Sequence, residues 1–224
     1  MIRLTQFPRL LLVCILCFLT LAIVAQSNAK QWISYSGKEG AGKGKNIVLI
    51  SGEEEYRSEE SFPMLARILS ERYGFNTTVL FSQDPATGEI NPDMQTNIPG
   101  MQHLQKADLI IICMRFRELP DAQMRYFDEY LKSGKPIVAL RTSTHAFQYS
   151  RNKTGRYAKY DWQSKAPGWK QGFGRTVLGE TWVAHHGDHG VEGTRALVNG
   201  LQENHPALKG VKDVWGFTDV YTVS

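Results

Sequence analysis

The chain has 224 residues, of which 42% are hydrophobic and 21% charged, a balance that suits one sizeable packed domain and excludes a disordered chain. Its formal charge of +4 halves once Arg3 and Arg9 of the leading segment are set aside, too small a surplus for a nucleic-acid footprint. Two of the three cysteines lie in that same segment, so Cys113 alone remains and no internal disulfide can form.

Residues 1–29 read as a secretory signal. Arg3 and Arg9 form a positive region before the apolar run LLLVCILCFLTLAIV, and Ser27-Asn28-Ala29 offers small residues where a signal peptidase cuts. An uncleaved anchor is the alternative, although the run falls short of the roughly twenty residues that span a bilayer. Both readings export the domain, to the periplasm or beyond, and cleavage of the signal would leave no stable span. Cys14 and Cys17 form a CxxC only in letters, and no lipobox precedes them.

Residues 30–45, rich in Gly and Lys, read as a linker. Within it, residues 37–43 match GxxxxGK, but Gly44 and a strand follow where a phosphate loop needs Ser or Thr and a helix. The remaining 46–224 form the domain. NIVLIS (46–51) is a strand apolar on both faces. Residues 59–73 carry Phe62, Leu65, Ile68 and Leu69 at helical spacing, with Ser58 as the expected cap and Gly74 as the stop. Strands follow at 77–81, 108–114 and 136–140, with a long loop at 84–99 and a helix opened by Pro120 and closed by Gly134. Strands alternating with helices of this length predict an α/β domain whose mostly parallel sheet is covered on both faces. Residues 146–180 read as an aromatic loop over the strand ends, 176–184 as a return to the sheet, and 214–223 as one more strand. No closing helix follows before Ser224, as in a truncated domain.

In such a sheet, ligands bind outside the C-terminal ends of the strands. That edge receives Glu53, Glu54 and Glu55, then Arg115 and Arg117, then Arg141, Thr144 and His145. Glu55, Arg141 and His145 are the expected catalytic groups. Tyr56, Arg57, Arg115, Thr144 and Trp182 are the expected substrate contacts. TWVAHHGDHG supplies His185, His186 and His189 around a Gly-Asp turn as expected metal ligands, two of these imidazoles with Asp188 or Glu55 suiting zinc or another divalent ion; the alternatives are a metal-free acid/base or hydrogen-bonding role and a solvated turn. Trp162, Trp169 and Trp182, with Tyr149, Tyr157 and Tyr160, form either a stacking platform for a sugar or ordinary packing. His103 and His205 read as structural.

The segments NIVLISGEEEYRSEES, DLIIICMRF, KPIVALRTSTHAF, GRTVLGETWVAHHGDHG and NHPALKG, then VWGFTDVYTV, together resemble secreted members of the ThuA-like (trehalose utilisation) family over residues 45–224. The resemblance implies a flavodoxin-like three-layer α/β/α sandwich, similar to class I glutamine amidotransferases, and carbohydrate metabolism on trehalose-like or keto-glycosides. Members of the family are labelled glycosyl hydrolases. The amidotransferases place a nucleophilic cysteine where this chain has Leu140 to His145 without one, so glutamine hydrolysis is not expected. The family's histidine after the first strand is replaced here by Glu53-Glu54-Glu55-Tyr56-Arg57. The expected function is therefore an exported enzyme for a small carbohydrate, acting by hydrolysis, elimination or isomerisation. A non-catalytic sugar-binding domain is the alternative.

Overall fold

The computed structural model describes residues 31–224, so the expected signal segment lies outside the described residues. Strands β1 (Trp32–Tyr35), β2 (Asn46–Gly52), β3 (Asn76–Phe81), β4 (Leu109–Met114) and β5 (Ile137–Ala139) form a five-stranded sheet in the order β1-β3-β2-β4-β5. Only β1 runs antiparallel to its neighbour. Helix α1 (Ser58–Tyr73) connects β2 to β3, and α2 (Asp121–Lys132) connects β4 to β5.

The period of two along β2 sorts its side chains between two layers. Ile47 and Leu49 pack with Phe62 and Ala66 of α1 on one face, while Val48 and Ile50 join the cluster containing Met124 and Phe127 of α2 on the other. Strand order reverses between β3 and β4, on either side of β2, and this places the crevice beyond the ends of β2, β4 and β5.

The stretch expected as a linker is instead part of the domain. Trp32 to Tyr35 pair with β3, and the Trp32 ring meets His103 edge-on at 4.8 Å. The neighbouring glycines serve close packing: a Cβ on Gly37 would lie 2.1 Å from the Gly74 carbonyl oxygen at the end of α1. A window dominated by Gly and Lys conceals a strand of four residues.

The start of α1 also differs from expectation. Arg57 occupies the cap position in the left-handed region (φ 55) and makes no side-chain cap bond. The carboxylate of Glu53, fully buried, accepts hydrogen bonds from the N–H groups of Glu55 (2.6 Å), Tyr56 (2.7 Å) and Ser58 (3.0 Å). Glu53 thus satisfies helix-start donors that Ser58 was expected to serve. Ser58 bonds Ser51 instead, Oγ to Oγ at 2.8 Å. Glu53→Ala is expected to destabilise the fold by about 3 kcal/mol, because it strands three backbone donors, one buried and two part-buried, beside a vacated buried site. The midpoint of urea unfolding checks this, and an unchanged midpoint would remove Glu53 from that role.

The loop 84–99 is held down from below. The buried Arg117 donates Nη1 to the carbonyls of Pro92 and Met94, both at 2.8 Å, and Nη2 to Glu54 at 2.6 Å. Beyond His145, the chain extends the core instead of lying over it. Phe147, Tyr160 and Phe173 meet Phe127 of α2 in edge-to-face pairs, with centroids 5.2–6.4 Å apart. Residues 176–184 do not rejoin the main sheet: Gly174–Leu178 make a π-helical turn. Strand β6 (Trp182–His186) pairs antiparallel with β9 (Val220–Val223), and β7 (Thr194–Ala196) with β8 (Val214–Gly216). The single strand expected over 214–223 is therefore two, interrupted at 217–219 where Asp219 turns inward.

Candidate functional site

The loops after β2, β4 and β5 bring their charged residues to one edge, and the β6–β9 pair closes over them. Arg141, two residues beyond β5, donates Nη2 to Oδ1 of Asp219 at 2.7 Å and Nη1 to the Asp219 carbonyl. Its guanidinium lies 3.9 Å from the centroid of the Tyr221 ring and 5.4 Å from that of Tyr56. The same carboxylate receives two imidazoles. His185 Nδ1 lies 2.6 Å from Oδ2 and His189 Nδ1 lies 3.0 Å from Oδ1.

Asp219 is buried, which by itself would raise its pKa. Hydrogen bonds from His189, His185 and Arg141 outweigh that burial and hold the carboxyl well below the usual range. It is an anion at every physiological pH. One ligand atom from each of His185, His189 and Asp219 falls within 4.8 Å of the others, so this group can hold a metal ion. Two imidazole nitrogens and one carboxylate oxygen match the donors of zinc sites that leave a coordination position open.

His186 is a correction to the expected ligand set. It follows His185 on a strand, where neighbouring side chains point to opposite faces, and it is exposed outside the group. The carboxylate of the group is Asp219 rather than Asp188 or Glu55, and sequence reasoning missed it. The available signal was a single acid inside the apolar run VWGFTDVYTV, because a buried carboxylate there requires partners.

His145 lies beside this group and is 3% exposed. Its ring packs against Phe116, Trp182 and Tyr221 with centroids 5.0–5.5 Å away, and Thr144 Oγ1 lies 3.3 Å from its Nδ1. Burial first, then the charges of Arg115, His185 and Arg141, push its pKa down to about 3. His145 is therefore a neutral imidazole at pH 7, suited to accept or donate a hydrogen bond without taking up a charge.

Glu55 pairs with Arg115 at 2.9 Å, and Arg115 also pairs with Glu54. Tyr56 stacks near Arg141, with burial raising its phenol pKa. Thr144 and Arg141 line a cleft of about 480 Å³ together with Leu140, Glu180 and Tyr221. Trp182 stands between His145 and His185, at 5.2 and 5.8 Å. Arg57 is not brought to the site: it is exposed and pairs with Glu60 on α1.

Several buried polar atoms here lack a hydrogen-bond partner among the described residues: Glu55 Oε2, Tyr56 Oη, Arg115 Nε, Arg141 Nε, and Nε1 of both Trp162 and Trp182. Buried polar groups are ordinarily satisfied, so such a concentration marks a place built for a polar ligand or water. Cys113 is no nucleophile. Its thiol donates to the Arg141 carbonyl at 2.9 Å, and burial pushes its pKa up to about 12. Ser143 is equally committed: its buried Oγ accepts from Met114 N–H at 3.1 Å and lies 3.2 Å from the Ile112 carbonyl.

No protein-family model matches this chain, and neither curated proteins nor solved structures yield a match.

Proposed function

We propose that this chain is an exported sugar-processing enzyme whose site is built on His185, His189, Asp219, Arg141 and His145. The observation that carries the reading is the convergence of two imidazoles and a guanidinium on one buried carboxylate, beside a neutral buried histidine. In this reading His185, His189 and Asp219 hold a zinc or similar divalent ion, which would polarise a carbonyl or hydroxyl oxygen. Arg141 steadies negative charge developing on the substrate, and His145, held neutral, offers it a hydrogen bond. Trp162 and Trp182, each with an unpartnered indole N–H, supply flat apolar faces and hydrogen-bond donors suited to a sugar ring. Glu55 is the acid or base.

The order of strands and the sequence blocks at their ends support a ThuA-like domain of flavodoxin-like, three-layer form, with trehalose-like or keto-glycosides as substrates. The reaction class is hydrolysis, elimination or isomerisation. Glutamine hydrolysis is not proposed, because the segment after β5 carries no cysteine. Residues 1–29 act in this reading as a secretory signal.

A second reading has its own support. Both Nδ1 atoms already lie at hydrogen-bond distance from Asp219, so the pair can also relay protons without a metal. Metal analysis after zinc reconstitution separates the two. The parent protein and His186→Ala are expected to retain about one zinc per chain, and His185→Ala to lose it. A parent that takes up no zinc would end the metal reading and leave the relay. Sugar affinity unaltered by His145→Gln and His185→Ala, with no turnover of any glycoside, would instead identify a binding domain.

A further inference from the structure

The charge of this protein is not evenly spread. Residues 149–175 carry seven Lys or Arg against the single acid Asp161, whereas the remainder of the chain holds more acids than bases. Four of these cations, Lys153, Arg156, Lys159 and Lys165, line a cleft of about 820 Å³ that is separate from the site around Asp219. None of the four forms an ion pair among the described residues, although pairing is frequent elsewhere on the surface.

The cleft has a firm base. Asp161, its one acid, is committed to the backbone: Oδ2 accepts from Tyr149 N–H at 2.6 Å and Oδ1 from Gln163 N–H at 2.7 Å. Tyr160 below is anchored by its hydroxyl to Asp128 at 2.7 Å. Lys159 is held over the Trp169 ring, 4.4 Å from its centroid. Like charges gathered on an anchored wall without acidic partners repel one another, and a multiply charged anion relieves that repulsion.

We propose that this cleft binds an acidic glycan, an oligosaccharide bearing sulfate or carboxylate groups. The cations meet the acidic groups, while Thr154, Gln163 and Ser164 on the same wall offer hydrogen bonds to ring hydroxyls. A single-stranded nucleic acid fits less well, because it needs exposed rings for its bases. Tyr157 and Tyr160 are instead buried, and Trp169 lies beneath Lys159. The cleft also adjoins the site through the chain: Asp161 and Gln163 line it, while Trp162 between them packs 5.3 Å from Trp182. The choice of a glycan rests on the sugar-processing reading. The anionic character of the ligand does not.

Calorimetry on the purified protein with dextran sulfate oligomers, oligogalacturonate, neutral dextran and single-stranded DNA tests the proposal. Binding to one or both acidic glycans is expected, with none to neutral dextran, and the response to each acidic glycan tells sulfate from carboxylate recognition. Affinity should fall about tenfold or more in the triple variant Lys153→Gln, Lys159→Gln, Lys165→Gln, and also on raising the salt. Lys153 and Lys165 are exposed and Lys159 is half-buried over Trp169, so the melting temperature should move by only a few degrees. His185→Ala should bind the acidic glycans as the parent does, which keeps this outcome separate from failure of the metal site. Absence of binding to both acidic glycans, or affinity unchanged in the triple variant, overturns the proposal. Tighter binding of DNA than of either glycan overturns the glycan assignment.

Discussion

Asp219→Ala is expected to destabilise the fold by about 3 kcal/mol and to abolish metal uptake together. The carboxylate is buried and answers three cationic or polar partners, Arg141, His185 and His189, that approach from two separate parts of the chain. Removing it leaves a guanidinium facing two imidazoles with no counter-charge, and breaking a buried pair at one end typically costs several kcal/mol. It also unfastens β9 from the loop after β5. Asp219→Asn keeps the shape and removes the charge, so it separates packing from electrostatics. Urea unfolding and zinc content measured on both variants check this. A stability equal to that of the parent in Asp219→Ala would show that Arg141 and the histidines do not depend on the carboxylate.

The second large effect concerns pH. His145 has its pKa pushed down to about 3 in the fold, against about 6.5 in the unfolded chain. Between these values the unfolded state binds more protons than the folded one, so stability rises with pH across that window. The neutral imidazole imposes no penalty above about pH 6.5, and the penalty grows as pH falls towards 3, to the order of 4 kcal/mol. His145→Gln removes the titrating group. The unfolding midpoint of the variant is therefore expected to depend less steeply on pH than that of the parent between pH 4 and 6.5, whatever its absolute stability. Parallel curves would mean that His145 charges freely in the folded state and that the aromatic enclosure is not closed.

Much of the site was legible because of where it sits. Arg141 and His145 follow the apolar segment PIVAL, and Glu53 to Glu55 follow NIVLIS, so the rule for parallel sheets brought them to one edge before any geometry was known. Their division of labour was not legible. Glu53 and Glu55 are neighbours of one chemical type, yet Glu53 is fully buried under the start of α1 while Glu55 reaches Arg115. The direction in which each carboxylate turns depends on backbone angles around Arg57 that no spacing reveals.

The aromatic residues show the same limit. Tyr149, Tyr157 and Tyr160 have the composition of a sugar platform but are buried in the core against α2, whereas Trp162 and Trp182 stand at His145. Composition cannot distinguish a ring that fills a core from one that lines a site, because both uses exploit the same flat apolar face.

The alternation of strands and helices, the mostly parallel sheet and the charged residues at its edge were readable from the chain alone, because hydrophobic period and turn residues act over a few neighbours. Tertiary pairing alone settles which two histidines meet a carboxylate, and that it is Asp219 rather than Asp188 or Glu55. That choice depends on the register of β9 against β6, in which His185 faces Tyr221 and His186 faces Val220. Pairing between strands more than thirty residues apart sets which face each side chain takes, and a shift of one residue would have exchanged the two histidines.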